Sequence, residues 1–267
     1  MQTARKFMTT HPICVECAAL IPTSAQLMMR HSIRHLPVLD NNGLLAGIIA
    51  DFDVFQRGGL VGAYDELWVF FDNDDEDLCV GSLASTAHTT RPDTPILQVL
   101  EQLASNLVEI IVVTDHKNKP LGVICEHDAM KMAHQLLPDS ITAESAITRP
   151  AQTLDLDEDA QKAWQIMEAR QIRHIIATEE DELQGVVSYR DLIADGVPSG
   201  RSLRLGDVIR GTAVQSISGG SLADAAQLMA RHKIGCLPFV DKKGRPLGVL
   251  TRTDILKTLV HLDSFAP

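Results

Sequence analysis

Apolar and polar positions along this chain follow one pattern four times over. A segment with helical spacing comes first. In DLDEDAQKAWQIMEAR, residues Ala160, Ala163, Trp164 and Met167 fall at i, i+3, i+4 and i+7, the spacing of one buried helix face. Asp155 and Asp157 precede it as N-cap candidates, and SLADAAQLMAR offers the same face in the fourth copy. Five residues beyond an apolar helix position (Met28, Leu103, Met167, Met229), a β-branched residue opens a predicted strand: Ile33, Val108, Ile172 and Ile234. The strands read IRHLPVLD, VEIIVVTD, IRHIIAT and IGCLPFVD. Polar turns such as DNNG and DKKG then predict hairpins. The returning strands read GIIA, GVIC, GVVS and GVLT, and a last helix is predicted to start near an aspartate.

The register is strict. The glycines stand at 47, 122, 185 and 248 and the aspartates at 53, 128, 191 and 254, so both series step by 75, 63 and 63 residues. Such a period predicts a repeat architecture with units of the form β-α-β-β-α, an α/β (α+β) chain. A unit of about 60 residues is too small to cover both faces of its own sheet, so pairing of units is expected.

Composition narrows the classes. With 45% apolar residues among 267, the chain can bury a substantial core. No apolar run reaches the roughly 18 residues of a spanning helix, and the opening MQTARKFMTTHP has no apolar signal region. Five cysteines without framework spacing suggest reduced thiols, so a cytoplasmic location is expected; Cys14 and Cys17 form a CxxC without the second pair that a zinc ribbon needs. The net charge of −11 argues against nonspecific nucleic-acid binding, and no membrane contact is expected. The first interval is 12 residues longer than the others. Its insertion, about 58–80, carries Asp65, Glu66, Asp72, Asp74, Asp75, Glu76 and Asp77 beside Trp68, Phe70 and Phe71. A solvated loop, a cation or basic-partner site, an apolar cover for the module edge and a docking surface all remain open for it.

The layout, the strand pattern ending in Pro-Val-x-Asp or its variants, and the closing Gly-h-h-(Ser/Thr)-x-x-Asp resemble the cystathionine-β-synthase (CBS) domain. Four copies, at about 7–56, 81–133, 144–195 and 205–262, cover nearly the whole chain. In that family two consecutive units pack sheet to sheet as a Bateman module, and adenosine ligands lie in the clefts between them. The resemblance implies two modules, 1–135 and 136–267.

The closing motif has chemistry of its own. A carboxylate can accept from both ribose hydroxyls, and a hydroxyl with helix-start N–H groups suits a phosphate. The third unit has Ser188 and Asp191, and the fourth has Thr251 and Asp254. Basic neighbours are Arg173, His174 and Arg190 in the third unit and Arg252 in the fourth. The first two units are weaker candidates. They keep Asp53 and Asp128, and the first adds Arg34 and His35, but Ala50 and Cys125 stand where the hydroxyl should be. The alternative role for each aspartate is an N-cap of the last helix, and for Arg34 and Arg173 a salt bridge.

No nucleophile–base pair, Walker loop or histidine ligand set is visible. The expectation is a stand-alone regulator, not an enzyme. It would bind an adenine nucleotide (AMP, ADP or ATP, with or without Mg) and signal to a partner protein, with no catalytic cofactor and no metal site of its own. S-adenosylmethionine or a cyclic dinucleotide are further ligands of the same class. A homodimer is expected. The alternative is a ligand-free scaffold built from the repeats.

Overall fold

The computed structural model describes residues 2–54, 78–105, 108–198, 200–210 and 220–262. The acidic run 65–77 with Trp68, Phe70 and Phe71 lies outside the described residues. Chain contacts divide the protein into two units, Met1–Cys125 and Glu126–Ala266. The sequence reading put the module boundary after 135, so the helix at 126–136 falls in the second unit by contacts.

The first unit holds α1 (Ala4–Phe7), β1 (Thr9–Thr10), β2 (Val15–Glu16), α2 (Ile21–His31), β3 (His35–Leu39), β4 (Leu45–Ala50), α3 (Val80–Leu83), β5 (Thr89–Thr90), α4 (Ile96–Ala104), β6 (Ile110–Thr114) and β7 (Pro120–Cys125). The second holds α5 (Glu126–Leu136), β8 (Thr153–Asp155), α6 (Ala160–Arg170), β9 (His174–Glu179), β10 (Glu182–Ser188), α7 (Tyr189–Ala194), α8 (Leu205–Val208), α9 (Leu222–His232), β11 (Cys236–Val240), β12 (Pro246–Thr251) and α10 (Arg252–Val260). A short opening strand runs parallel to the first strand of an antiparallel hairpin in the first three repeats: β2 on β3, β5 on β6 and β8 on β9. The corresponding segment of the fourth repeat lies at 211–219, outside the described residues.

The five-residue spacing seen in the sequence has a physical cause. The Ile33, Ile172 and Ile234 N–H groups donate to the carbonyls of Met28, Met167 and Met229 at 2.9, 3.1 and 3.1 Å. Each link closes a helix whose next residue, Ser32, Gln171 or Lys233, turns left-handed with φ of 51, 53 or 56°. That is the Schellman stop, which satisfies carbonyls a helix end would otherwise strand. The methionines face the core and are buried. The stop delays each strand. β3, β9 and β11 begin two residues after the β-branched residue that was expected to open them, and so does β6 after Val108.

Helix starts also correct the sequence reading. Asp159, not Asp155 or Asp157, caps α6 by accepting from the Gln161 N–H at 2.9 Å. Asp155 is taken up in β8 and in the turn after it, where it accepts from the Asp157 N–H. The hairpin turns repeat one device. Asp40, Asp115 and Asp241 each accept two backbone N–H bonds from the residues two and four further on, at 2.8–3.0 Å. These bonds hold all three carboxyl groups below the usual carboxylate range. Gly43, Asn118 and Gly244 take the positive φ that closes the turns.

Pairing of repeats is built by exchange of opening segments. In the first unit β1, near the start of repeat one, pairs antiparallel with β7 of repeat two. Ser85, near the start of repeat two, bridges Ile48 of repeat one. In the second unit Thr148, near the start of repeat three, bridges Val249 of repeat four. The four register glycines stand beneath these crossings. A Cβ on Gly47 would lie 2.7 Å from the Ser85 carbonyl, on Gly122 2.9 Å from that of Thr9, and on Gly248 2.7 Å from that of Thr148. On Gly185 it would meet the Ile209 side chain at 2.8 Å. The repeated glycine therefore answers to the partner repeat's backbone or side chain. Leu45, Ile48 and Val112, with Ile110 and Val123, join the two hairpins of the first unit in one apolar cluster. This sheet-to-sheet packing covers the face a lone repeat would expose.

Candidate functional site

Each returning strand runs straight into a helix, and that junction carries the closing motif. Ser188 ends β10 in extended conformation, with φ −96° and ψ 159°, and caps α7. Its Oγ accepts from the Asp191 N–H at 3.3 Å, while Asp191 Oδ2 accepts from the Ser188 N–H at 2.7 Å and from its hydroxyl at 2.5 Å. Thr251 and Asp254 repeat the arrangement at 3.3, 2.8 and 2.5 Å. Both are capping boxes. The aspartates thus support the helix start from its third position. Ser188 and Thr251 are the N-caps, because the extended strand persists through them, and the expectation of aspartate N-caps is corrected here. In repeat one Ala50 brings no hydroxyl, but its N–H still donates to Asp53 Oδ2 at 3.0 Å. In repeat two Asp128 lies 3.9 Å from Lys131.

Hairpin register puts a fixed neighbour across from each hydroxyl position. Ser188 pairs with His174, Thr251 with Cys236, Ala50 with His35 and Cys125 with Ile110. Cys236 is buried, which pushes its thiol up to about 12 with the Asp254 charge adding to the effect. It is chemically quiet at neutral pH.

Basic residues converge in the second unit. Arg173, just ahead of β9, lies 3.5 Å from Glu126 Oε1, and Arg252, first in α10, lies 3.7 Å from Glu126 Oε2. Glu126 opens α5 and is 7% exposed. Arg252 is anchored by its Nε, which donates to the Ile234 carbonyl at 3.1 Å. The His174 imidazole packs on Gly235, where an added Cβ would stand 3.3 Å from the ring and 3.9 Å from Arg252 Cζ. Gly235 thereby admits His174 and Arg252 to one place. Helix α5 packs along α9 and α10, which brings Glu126 to repeats three and four. Arg190 stands in the first turn of α7 beside Asp191.

Burial first, and then the charges of Lys131 and Arg252, hold His127 below its ordinary pKa. Tyr189, next to Ser188, stacks on Trp164 with centroids 4.4 Å apart and donates to Glu168 at 2.9 Å; burial raises its hydroxyl pKa. In the first unit His35 Nε2 lies 3.5 Å from Glu109 Oε2, and the Arg34 carbonyl accepts from the Asp51 N–H at 2.8 Å.

Two residues of this cluster escaped the sequence reading. Glu126 holds the register position just after the hydroxyl, which is Asp51, Glu126, Tyr189 and Arg252 in the four repeats. A carboxylate in one repeat and a guanidinium in another at the same position were the available signal. Gly235 replaces Arg34, Glu109 and Arg173 of the other repeats. Among the described residues, no three His, Cys, Asp or Glu side chains group to hold a metal ion. Cys14 and Cys17 are free thiols, and burial raises the pKa of Cys14. No helix among the described residues is long and apolar enough to cross a membrane.

Comparison with known proteins supports this architecture. An uncharacterized 33.4 kDa protein encoded in a ribosomal RNA operon of Thermofilum pendens is 23% identical over 269 residues, spanning 90% of this chain and 87% of that one. The crystal structure of protein MJ1225 from Methanocaldococcus jannaschii, proposed as an archaeal homologue of g-AMPK, superposes with a TM-score of 0.79 at 20% identity, covering 96% of this chain and 99% of that one. An uncharacterized conserved protein from Pyrococcus horikoshii superposes with a TM-score of 0.66 at 16% identity, covering 97% and 100%. These likenesses are of fold. The CBS domain model matches residues 4–58, 80–134, 143–195 and 218–261, so the chain belongs to the CBS-domain family.

Proposed function

We propose that the protein is a ligand-sensing regulator whose second half binds an adenine nucleotide, or a related adenosyl ligand, and signals through a partner protein. The observation that carries this reading is the convergence of Arg173, His174 and Arg252 in the unit that also holds both complete Ser/Thr–Asp motifs. Guanidinium and imidazole groups suit a phosphate. Both capping bonds to Asp191 fall on Oδ2, so a ribose hydroxyl would be received at Oδ1. The likeness to MJ1225, itself proposed as a homologue of g-AMPK, agrees with a regulatory role. A sensor of this kind works by binding one arrangement of its repeats more tightly than another.

The test is a thermal-shift series with AMP, ADP, ATP, S-adenosylmethionine and a cyclic dinucleotide, followed by calorimetry. A ligand at a hundred times its Kd adds about 2.7 kcal/mol of stability. Asp191→Asn keeps much of the capping and replaces one acceptor oxygen with a donor, so it should hold the melting temperature and weaken binding. Asp53→Asn, beside Ala50, should leave binding unchanged. Absence of any shift supports the second reading, a ligand-free scaffold. That reading is favoured by one observation: the Ser188 and Thr251 hydroxyls are already engaged with their own aspartates. The homodimer belongs to the same proposal, and a monomeric mass by light scattering at tens of micromolar would refute it.

A further inference from the structure

We propose that Glu126 is a built-in anion that occupies the basic site of Arg173 and Arg252 and that a ligand phosphate must displace, which makes it the residue that sets the site's affinity for phosphate. This rests on the reading of the second half as a site for an adenosine phosphate.

The geometry is that of a substitute ligand. One buried carboxylate lies within 3.5 and 3.7 Å of two guanidinium groups from two different repeats. Neither arginine shares a repeat with Glu126, whose helix enters from repeat two. The Glu126 side chain is 9% exposed and that of Arg252 11%, so the pairing is poorly screened. Two guanidinium groups face one carboxylate, and around neighbouring His127 the charges of Lys131, Arg252 and Lys233 are opposed by Asp128. An incoming phosphate would bring the acceptor oxygens that Glu126 now provides, in the same place. The first unit repeats the theme with other residues, for there the Glu109 carboxylate meets His35 at the strand start. Each unit thus sets its own carboxylate against a basic group at the start of a hairpin.

Replacing Glu126 with Gln keeps the shape and removes the charge. The nearly buried Arg252 and the partly exposed Arg173 then lose the carboxylate that faces them, a loss that an external anion relieves. The variant is expected to melt lower than the parent without anion and to gain affinity for phosphate. A gain of about tenfold corresponds to about 1.4 kcal/mol.

The experiment uses the full chain and pyrophosphate alone, by thermal shift and calorimetry, on the parent, Glu126→Gln, Glu126→Asp and Glu126→Gln/Arg252→Met. Glu126→Asp retracts the carboxylate by one methylene and should show a smaller gain, which keeps the test open if the Gln variant folds poorly. The expected result is tighter pyrophosphate binding in the single variants, lost again in the double variant. Equal pyrophosphate affinity in the parent and in the single variants overturns the proposal. A gain that survives Arg252→Met overturns it too, since the anion would then bind elsewhere. A second arm compares AMP with adenosine in the same proteins. If the parent binds AMP and Glu126→Gln binds it no tighter, the role of Glu126 is wrong while the nucleotide reading stands. If pyrophosphate behaves as expected but no protein binds AMP or adenosine, Glu126 stands and the nucleotide reading fails.

Discussion

Glu126 and Arg252 hold the same position in their respective repeats, the residue after the hydroxyl, and their side chains meet at 3.7 Å. A duplicated position has thus acquired opposite charges, and the two copies now face each other. Such complementarity can arise only once the repeats differ, so it marks where this chain has moved away from its internal symmetry.

The capping boxes give the first expected outcome. Ser188→Ala and Thr251→Ala each remove a hydroxyl that accepts from a helix N–H, and each should lower stability by about 1 kcal/mol. Ala50→Ser should do the reverse, by about 0.5–1 kcal/mol, because Asp53 already accepts from the residue 50 N–H and needs only the hydroxyl to complete the box. Urea unfolding monitored by circular dichroism measures all three.

The crossings give the second. Gly248→Ala would place a Cβ 2.7 Å from the Thr148 carbonyl, a backbone atom fixed by its own hydrogen bonds. It should cost about 1–3 kcal/mol. Gly185→Ala meets only the Ile209 side chain, which can rotate, and should cost less. Reversed ranking in chemical denaturation would contradict the role given to the crossings.

The turn aspartates give the third. The Leu44, Lys119 and Arg245 N–H groups are the largest causes that lower Asp40, Asp115 and Asp241 below the ordinary 3.8. A depressed carboxyl contributes stability that is fully present above its unfolded pKa and is lost as pH falls through its folded one. The triple Asp→Asn variant, which keeps an acceptor oxygen in each turn, should therefore lose stability less steeply than the parent below about pH 4. Melting temperatures across an acid series check the slopes.

His127 gives the fourth. Its pKa lies below the ordinary 6.5, chiefly through burial and then through the Lys131 and Arg252 charges. The fold favours the neutral ring, so stability drops as pH falls from 6.5 toward the folded value. Arg252→Met should raise the His127 pKa without restoring it fully, because burial remains. Imidazole NMR titration reads this directly.

Local signals were legible in the sequence, and tertiary ones were not. The spacing from Met28 to Ile33 and from Met167 to Ile172 was visible because one hydrogen bond across a helix stop fixes it. The strand starts were misplaced by two residues because the stop itself uses the β-branched residue before the chain extends. Asp155 and Asp157 looked like the caps, and only the actual start of α6 gives that role to Asp159. Ser188, Asp191, Thr251 and Asp254 declared themselves through register, since a capping box is local. Glu126 did not. Its partners lie in repeats three and four, and nothing near it in sequence tells that helix α5 leads there.

The exchange of opening segments has a consequence for heredity. β1 belongs by sequence to repeat one but completes an edge of repeat two, and Ser85 returns the favour at Ile48. Cutting out a single copy would strip an edge from the copy left behind. The pair of copies, and not the single copy, is therefore the piece that can be duplicated or lost without baring an unpaired edge.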